Sequence, residues 1–164
     1  MSKGREFRAF DYVNRPYGKV RDALLADAEE IFRKATRAAA SRAHEVASGL
    51  HVNIGGLEIG AEIDITISET DELPGSRPWE ARTRLTLEWE AAKNPRLFPE
   101  LEGELDVYAL TERETQLDFG GRYRPPMGPL GGAIDSLILH RVAEASIHRF
   151  VTDVARYLRE NLAD

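Results

Sequence analysis

Four histidines in a chain without cysteine are the residues best suited to move a proton or bind a metal near neutral pH. His140, Glu144 and His148 recur at i, i+4 and i+8, so a helix would carry them on one side. Such a row holds a metal only with a further ligand from a protected site, and the sequence supplies none. It reads as a solvated helix flank, and no metal is expected. His140 taken alone is different. At about 100° per residue, Leu139, Ala143, Ile147, Phe150, Val154 and Leu158 fall in one arc that also contains Ser136 and His140. The later half of this arc is bulky and the earlier half is small or polar. Laid over a sheet, Phe150, Val154 and Leu158 would fill a core, while Ser136, His140 and Ala143 would leave room for a cavity with a polar handle.

Other chemistries are poorly served. The absence of cysteine removes disulfides, thiolate metal sites and a thiol nucleophile, and it fits a reducing, cytoplasmic setting. Gly55-Gly56 and the Gly128 to Gly132 stretch match neither a dinucleotide fingerprint nor a phosphate loop, so no cofactor is expected. Ser136 and Ser146 lack the context of an activated nucleophile. Twenty-two Lys and Arg against 28 Asp and Glu give a net charge of −6, with no basic stripe for nucleic acid. The first residues are polar, without a signal-like apolar run, and no stretch has the length of a membrane span.

The elements that would position His140 follow from periodicity. Glu6 to Asn14 reads as a strand ending at Arg15-Pro16, and Pro16 opens a helix carrying Val20, Leu24 and Leu25 that stops near Ala26. Asp27 with Glu30 has the form of a capping box for a second helix, whose face is Ile31, Phe32, Ala35, Ala39, Ala43 and Val46 and whose end is Gly49. Beyond Leu50 the period becomes two. Leu50, Val52 and Ile54 lead through Gly55-Gly56 into Ile59 to Ile67, a hairpin. Asp71 to Pro78 is a loop. Further strands carry Ala81, Thr83, Leu85, Leu87 and Trp89, then Leu105, Val107 and Ala109 after a break at Asn94 to Pro99, then Leu117, Phe119 and Tyr123. Each has one dry and one wet face, with Thr83 the main polar residue on the dry side. The charges Glu62, Asp64, Arg82, Arg84, Glu88, Asp106, Asp118 and Arg122 belong to the wet side as cross-strand pairs. Short connections make the strands antiparallel neighbours, and a long helix from Gly128-Pro129 to Leu162 covers their dry faces. A single domain over residues 1–164 is expected.

This order resembles the helix-grip fold of the START-like superfamily, which includes polyketide cyclase/dehydrase and lipid-transport members. Tyr12-Val13-Asn14-Arg15-Pro16 with Val20 and Leu24 resembles the family's first strand entering its first helix. Gly121-Arg122-Tyr123-Arg124-Pro125-Pro126-Met127-Gly128-Pro129-Leu130-Gly131 resembles the end of its sheet. The resemblance implies an α+β fold: a curved antiparallel sheet wrapped around a long C-terminal helix, with two short helices after the first strand. Members bind apolar ligands, cyclise or dehydrate polyketides, or pair with proteins, and they share no catalytic triad to carry over.

The first functional reading is binding of a small hydrophobic or aromatic ligand in an apolar cavity between sheet and last helix. Leu85, Leu87, Trp89, Leu117, Phe119, Tyr123 and Ala143 would line it, with Ser136 and His140 as polar contacts. The second is a cyclase or dehydratase-like enzyme with His140 as general base and Tyr123 as donor. The third is a protein-interaction module. A second stripe on the last helix, Ile134, Leu137, Ile138, Val142 and Ala145, must also be covered, by the earlier helices or by a second copy in a homodimer.

Overall fold

A computed structural model describes residues 4–49, 63–91, 100–124 and 136–164. Strand β1 (Arg5–Val13) turns Phe7, Ala9 and Val13 inward and Glu6, Arg8, Phe10 and Tyr12 outward. Pro16 then ends the strand and starts a helix, because its carbonyl accepts from the Lys19 and Val20 amides at 3.1 and 3.2 Å. Helix α1 (Tyr17–Gly49) leaves helical geometry at Asp27 (φ −128°, ψ 24°), the residue the sequence marks as a cap. The two short helices expected there are limbs of one kinked run, and the second limb, 28–49, is long. Its alanines Ala35, Ala39, Ala40 and Ala43 are all buried and permit close approach to a neighbouring helix.

The sheet is formed by β2 (Ile63–Leu73), β3 (Arg82–Ala91), β4 (Glu100–Thr111) and β5 (Glu114–Arg124) together with β1, in the order β1-β5-β4-β3-β2 with every neighbour antiparallel. Two boundaries differ from the periodicity. Asp71 to Leu73 are strand rather than loop, because a bulge between Ile67 and Glu69 re-registers β2 so that it pairs with β3 as far as Arg82. The connection shrinks to a turn at Gly75 (φ 64°) and a 3₁₀ turn at Pro78–Glu80. Strand β4 starts at Glu100, so Leu101 and Gly103 extend the inward row. The hairpin expected at Leu50 to Gly56, the break at Asn94 to Pro99 and the Gly128-Pro129 helix start lie outside the described residues.

Inward rows run straight across the sheet. One is Ile65, Trp89, Leu101, Tyr123 and Arg5, and the next is Ile67, Leu87, Gly103, Gly121 and Phe7. The second row needs its glycines. A Cβ on Gly103 would stand 2.8 Å from Phe119 Cε1 and 3.0 Å from Phe7 Cζ, and one on Gly121 would lie 2.6 Å from the Gly103 Cα. The strands crowd there, and the Phe7 and Phe119 rings, 5.1 Å apart edge to face, fill the space that side chains would otherwise take. The outer face carries the expected cross-strand pairs: Arg8 with Asp118 (2.7 Å), Arg84 with Asp106 (2.7 Å) and Arg122 with Glu6 (3.1 Å).

Helix α2 (Ser136–Asn161) lies along α1 and over β1. Phe150 meets Trp89, Phe119 and Phe32 at ring distances of 4.9, 5.3 and 5.7 Å, with Val154 and Leu158 buried behind it. Val142 of the second stripe is buried within the chain, Ala145 is half-buried and Leu137 is 64% exposed. The last turn of α2 is tied to the β1–α1 corner. Arg15 donates to the Leu162 and Arg159 carbonyls, both at 2.9 Å, and Arg159 donates to the Tyr12 carbonyl at 2.6 Å. No helix of the described residues is long and apolar enough to cross a membrane.

Candidate functional site

Tyr123 is the last inward residue of β5 and is held there by its place in the row with Leu101 and Trp89. Its ring is buried, and its hydroxyl reaches the first turns of α2. There it lies 2.9 Å from His140 Nδ1 and donates to Glu144 Oε1 at 3.1 Å. The Tyr123 and His140 rings meet edge to face with centroids 5.6 Å apart. One helical turn separates His140 from Glu144, which is why one phenol can touch both. Arg5 completes the group, its Nε 3.9 Å from Glu144 Oε1.

The electrostatics follow from this arrangement. Burial, then the Glu144 charge and the hydrogen bond to it, raise the Tyr123 phenol well above its ordinary range, with Arg5 opposing. Burial, then Arg5, push the His140 imidazole below its ordinary value, with Glu144 opposing. At neutral pH the pair is a protonated phenol beside an uncharged imidazole. Such a histidine has a lone pair to give, the form required of a hydrogen-bond acceptor or a general base.

A pocket with a volume of about 260 Å³ opens at the same end of the sheet. It lies on the outer face: Thr66, Glu88, Glu102 and Arg122 form one outward cross-strand row and Glu100 and Arg124 another, while Trp89, Leu101 and Tyr123 between them turn their side chains to the inner face. Its two cations are already paired, Arg124 with Glu100 at 2.9 Å and Arg122 with Glu6.

The structure brings together Tyr123 and His140 from the sequence reading, while Trp89 lies two strands along the same row, buried against Phe150. Leu85, Leu87, Leu117, Phe119 and Ala143 sit deeper, each at most 1% exposed, in the closed core around Phe150. Ser136 stands at the start of α2, one turn before His140. Three participants were not assigned to the site by sequence reading. Leu101 could have been found by extending the period of two backward from Leu105 through Gly103. Glu144 was visible as the i+4 neighbour of His140 but was placed on a solvated flank. Arg5 carries no sequence signal, since only the β1–β5 register brings it opposite Tyr123. Among the described residues no group of three His, Cys, Asp or Glu side chains could hold a metal ion.

No family model matches the sequence, and no curated protein does. Solved structures do share its shape. A conserved protein from Geobacillus kaustophilus superposes with a TM-score of 0.51 at 14% identity, covering 95% of this chain and 96% of its own. A protein from Thermus thermophilus gives 0.46 at 13% identity, over 97% of this chain and all of its own. An aromatase/cyclase from Streptomyces sp. R1128 gives 0.47 at 12% identity, over 97% and 96%. Likeness at this level concerns the course of the backbone.

Proposed function

We propose that this chain, which has the helix-grip fold of the START-like superfamily, binds a small aromatic or otherwise hydrophobic molecule at the end of the sheet crossed by the first turns of α2. The observation that carries this reading is the Trp89, Leu101, Tyr123 row. It is an apolar inward row that ends in a hydrogen-bonding pair, Tyr123 and His140, with the imidazole part-exposed at the surface of α2. Apolar lining supplies affinity and a few convergent polar atoms supply orientation.

The test uses the two tryptophans. Trp79 is exposed and Trp89 is buried, so a Trp79→Phe protein reports from the inward row alone. Titration with 2-naphthol should change Trp89 emission in a saturable way. His140→Phe, which keeps a ring at this part-exposed position of α2 and deletes its hydrogen-bonding nitrogens, should weaken binding at least about tenfold, about 1.4 kcal/mol, with an unchanged melting temperature. Undiminished binding in that variant would remove the Tyr123–His140 pair from the function.

A second reading, a cyclase or dehydratase-like enzyme, is favoured by one distance, the 2.9 Å between Tyr123 Oη and His140 Nδ1. In it the uncharged imidazole takes a proton from the substrate and the phenol steadies the developing charge. On an identified substrate, His140→Gln would lower turnover by roughly 10²-fold or more. An active protein indifferent to that change would discard this reading.

A further inference from the structure

The Tyr123 hydroxyl has one proton and two neighbours. The Glu144 carboxylate, facing Arg5, can only accept, and it stands 3.1 Å from the phenol oxygen. If the phenol proton goes to Glu144, the 2.9 Å contact with His140 is a hydrogen bond only when His140 Nδ1 is the donor. A neutral imidazole that carries its proton on Nδ1 has its lone pair on Nε2. Among the described residues nothing bonds to Nε2.

We infer that Glu144, acting through Tyr123, holds His140 in the Nδ1–H tautomer, so that Nε2 offers a lone pair and the site selects ligands bearing a hydrogen-bond donor, phenols or enols rather than carboxylates. The selectivity half of this inference rests on the ligand site proposed above. A carboxylate ligand would find no proton on Nε2. The nearby cation gives it little help, because Arg5 faces Glu144. Glu144 itself repels it. A hydroxyl on an aromatic ring meets none of these costs and donates to Nε2. Glu144 is thus a positioning residue: it sets the proton on a ring it does not touch.

Long-range ¹H–¹⁵N correlation spectra of protein labelled at histidine read the tautomer directly, with the His140 signal assigned by its loss in His140→Gln. The spectrum should show the Nδ1–H form in the parent and in Glu144→Gln, whose amide oxygen still accepts from Tyr123. It should show the Nε2–H form in Glu144→Ala, where the phenol proton is released to Nδ1. An Nε2–H spectrum in the parent overturns the relay. In parallel, 2-naphthol and 2-naphthoate present the same two rings with a donor or a carboxylate. The parent should favour 2-naphthol at least about tenfold, which is about 1.4 kcal/mol, and Glu144→Ala should bring the ratio close to one. Equal binding, or a preference for 2-naphthoate, in a parent with the Nδ1–H tautomer overturns the selectivity. Binding of neither probe removes the ligand site and the selectivity with it, while the spectra still decide the role of Glu144 by themselves.

Discussion

Gly103→Ala adds a single methyl group at the tightest crossing of the sheet, and the surroundings decide whether it helps or harms. The new Cβ would stand 2.8 Å from Phe119 Cε1, 3.0 Å from Phe7 Cζ and 3.1 Å from the Gly120 carbonyl, where ordinary contact begins at 3.4 Å. Phe119 must therefore retreat by about 0.6 Å, the gap between 2.8 and 3.4 Å. Phe7 is only part-buried and can turn aside. Phe119 is fully buried, with Phe7, Phe150 and Trp89 at 5.1, 5.3 and 6.2 Å, and has nowhere to go. Overpacking of this kind costs about 1–3 kcal/mol. The reduced freedom of alanine in the unfolded chain returns about 0.4–1 kcal/mol, which leaves a net loss of about 1.3 kcal/mol at the middle of the two ranges. With an m-value of about 2 kcal/mol per molar, the urea midpoint followed by tryptophan fluorescence falls by about 0.5–1 M. Phe119→Leu removes the ring that is struck, so the double variant should be less destabilised than the two losses added. A Gly103→Ala protein as stable as its parent would refute the reasoning, since it would show slack where the structure has strands and rings in contact.

Three further outcomes are expected. Tyr123 should be among the last of the five tyrosines to ionise, and Tyr123→Phe should delete a late-titrating component of the tyrosinate absorbance; because the folded phenol holds its proton where an unfolded one loses it, this residue makes stability fall as pH rises above about 10. The depressed His140 has the opposite sign: the unfolded chain takes up the proton first, so stability falls as pH drops below about 6.5, and His140→Gln should flatten that limb in a series of urea midpoints. Arg15→Ala should lower stability by about 1–3 kcal/mol and speed amide exchange in the last turn of α2, and Arg15→Lys should not restore it, since one ammonium cannot span the Leu162 and Arg159 carbonyls as the guanidinium fork does.

The fold was legible because most of its strands bury one face and wet the other, so a period of two announces itself in Leu85, Leu87, Trp89 and in Leu117, Phe119, Tyr123. Asp27 announced the kink in α1 for a similar local reason. What stayed hidden depends on register. The bulge at Ile67 that carries β2 to Leu73 is a relation between two strands and leaves no mark on either. The site divides along the same line. His140 and Tyr123 could be chosen by chemistry and by position on a face. Arg5 could not, because nothing within β1 tells which residue of β5 it will face, and Glu144 looked like solvent-facing charge until a buried phenol was found donating to it.

The ties between Arg15, Arg159 and the Tyr12 carbonyl have a consequence for the order in which a newly made chain can fold. β1 leaves the ribosome before the other four strands, yet its pairing partner is β5, with Ala9 opposite Phe119, and its corner is locked by an α2 carbonyl 144 residues later. Neither support exists until β5 and α2 have been made. The hairpins β2–β3 and β4–β5 close over short distances and can assemble during elongation, but the first strand must wait, and contacts of such separation are the slow ones. A chain stalled before α2 therefore offers the inward rows of Leu85, Leu105 and Phe119 without their cover, and nascent protein at that stage is the form that a chaperone would engage.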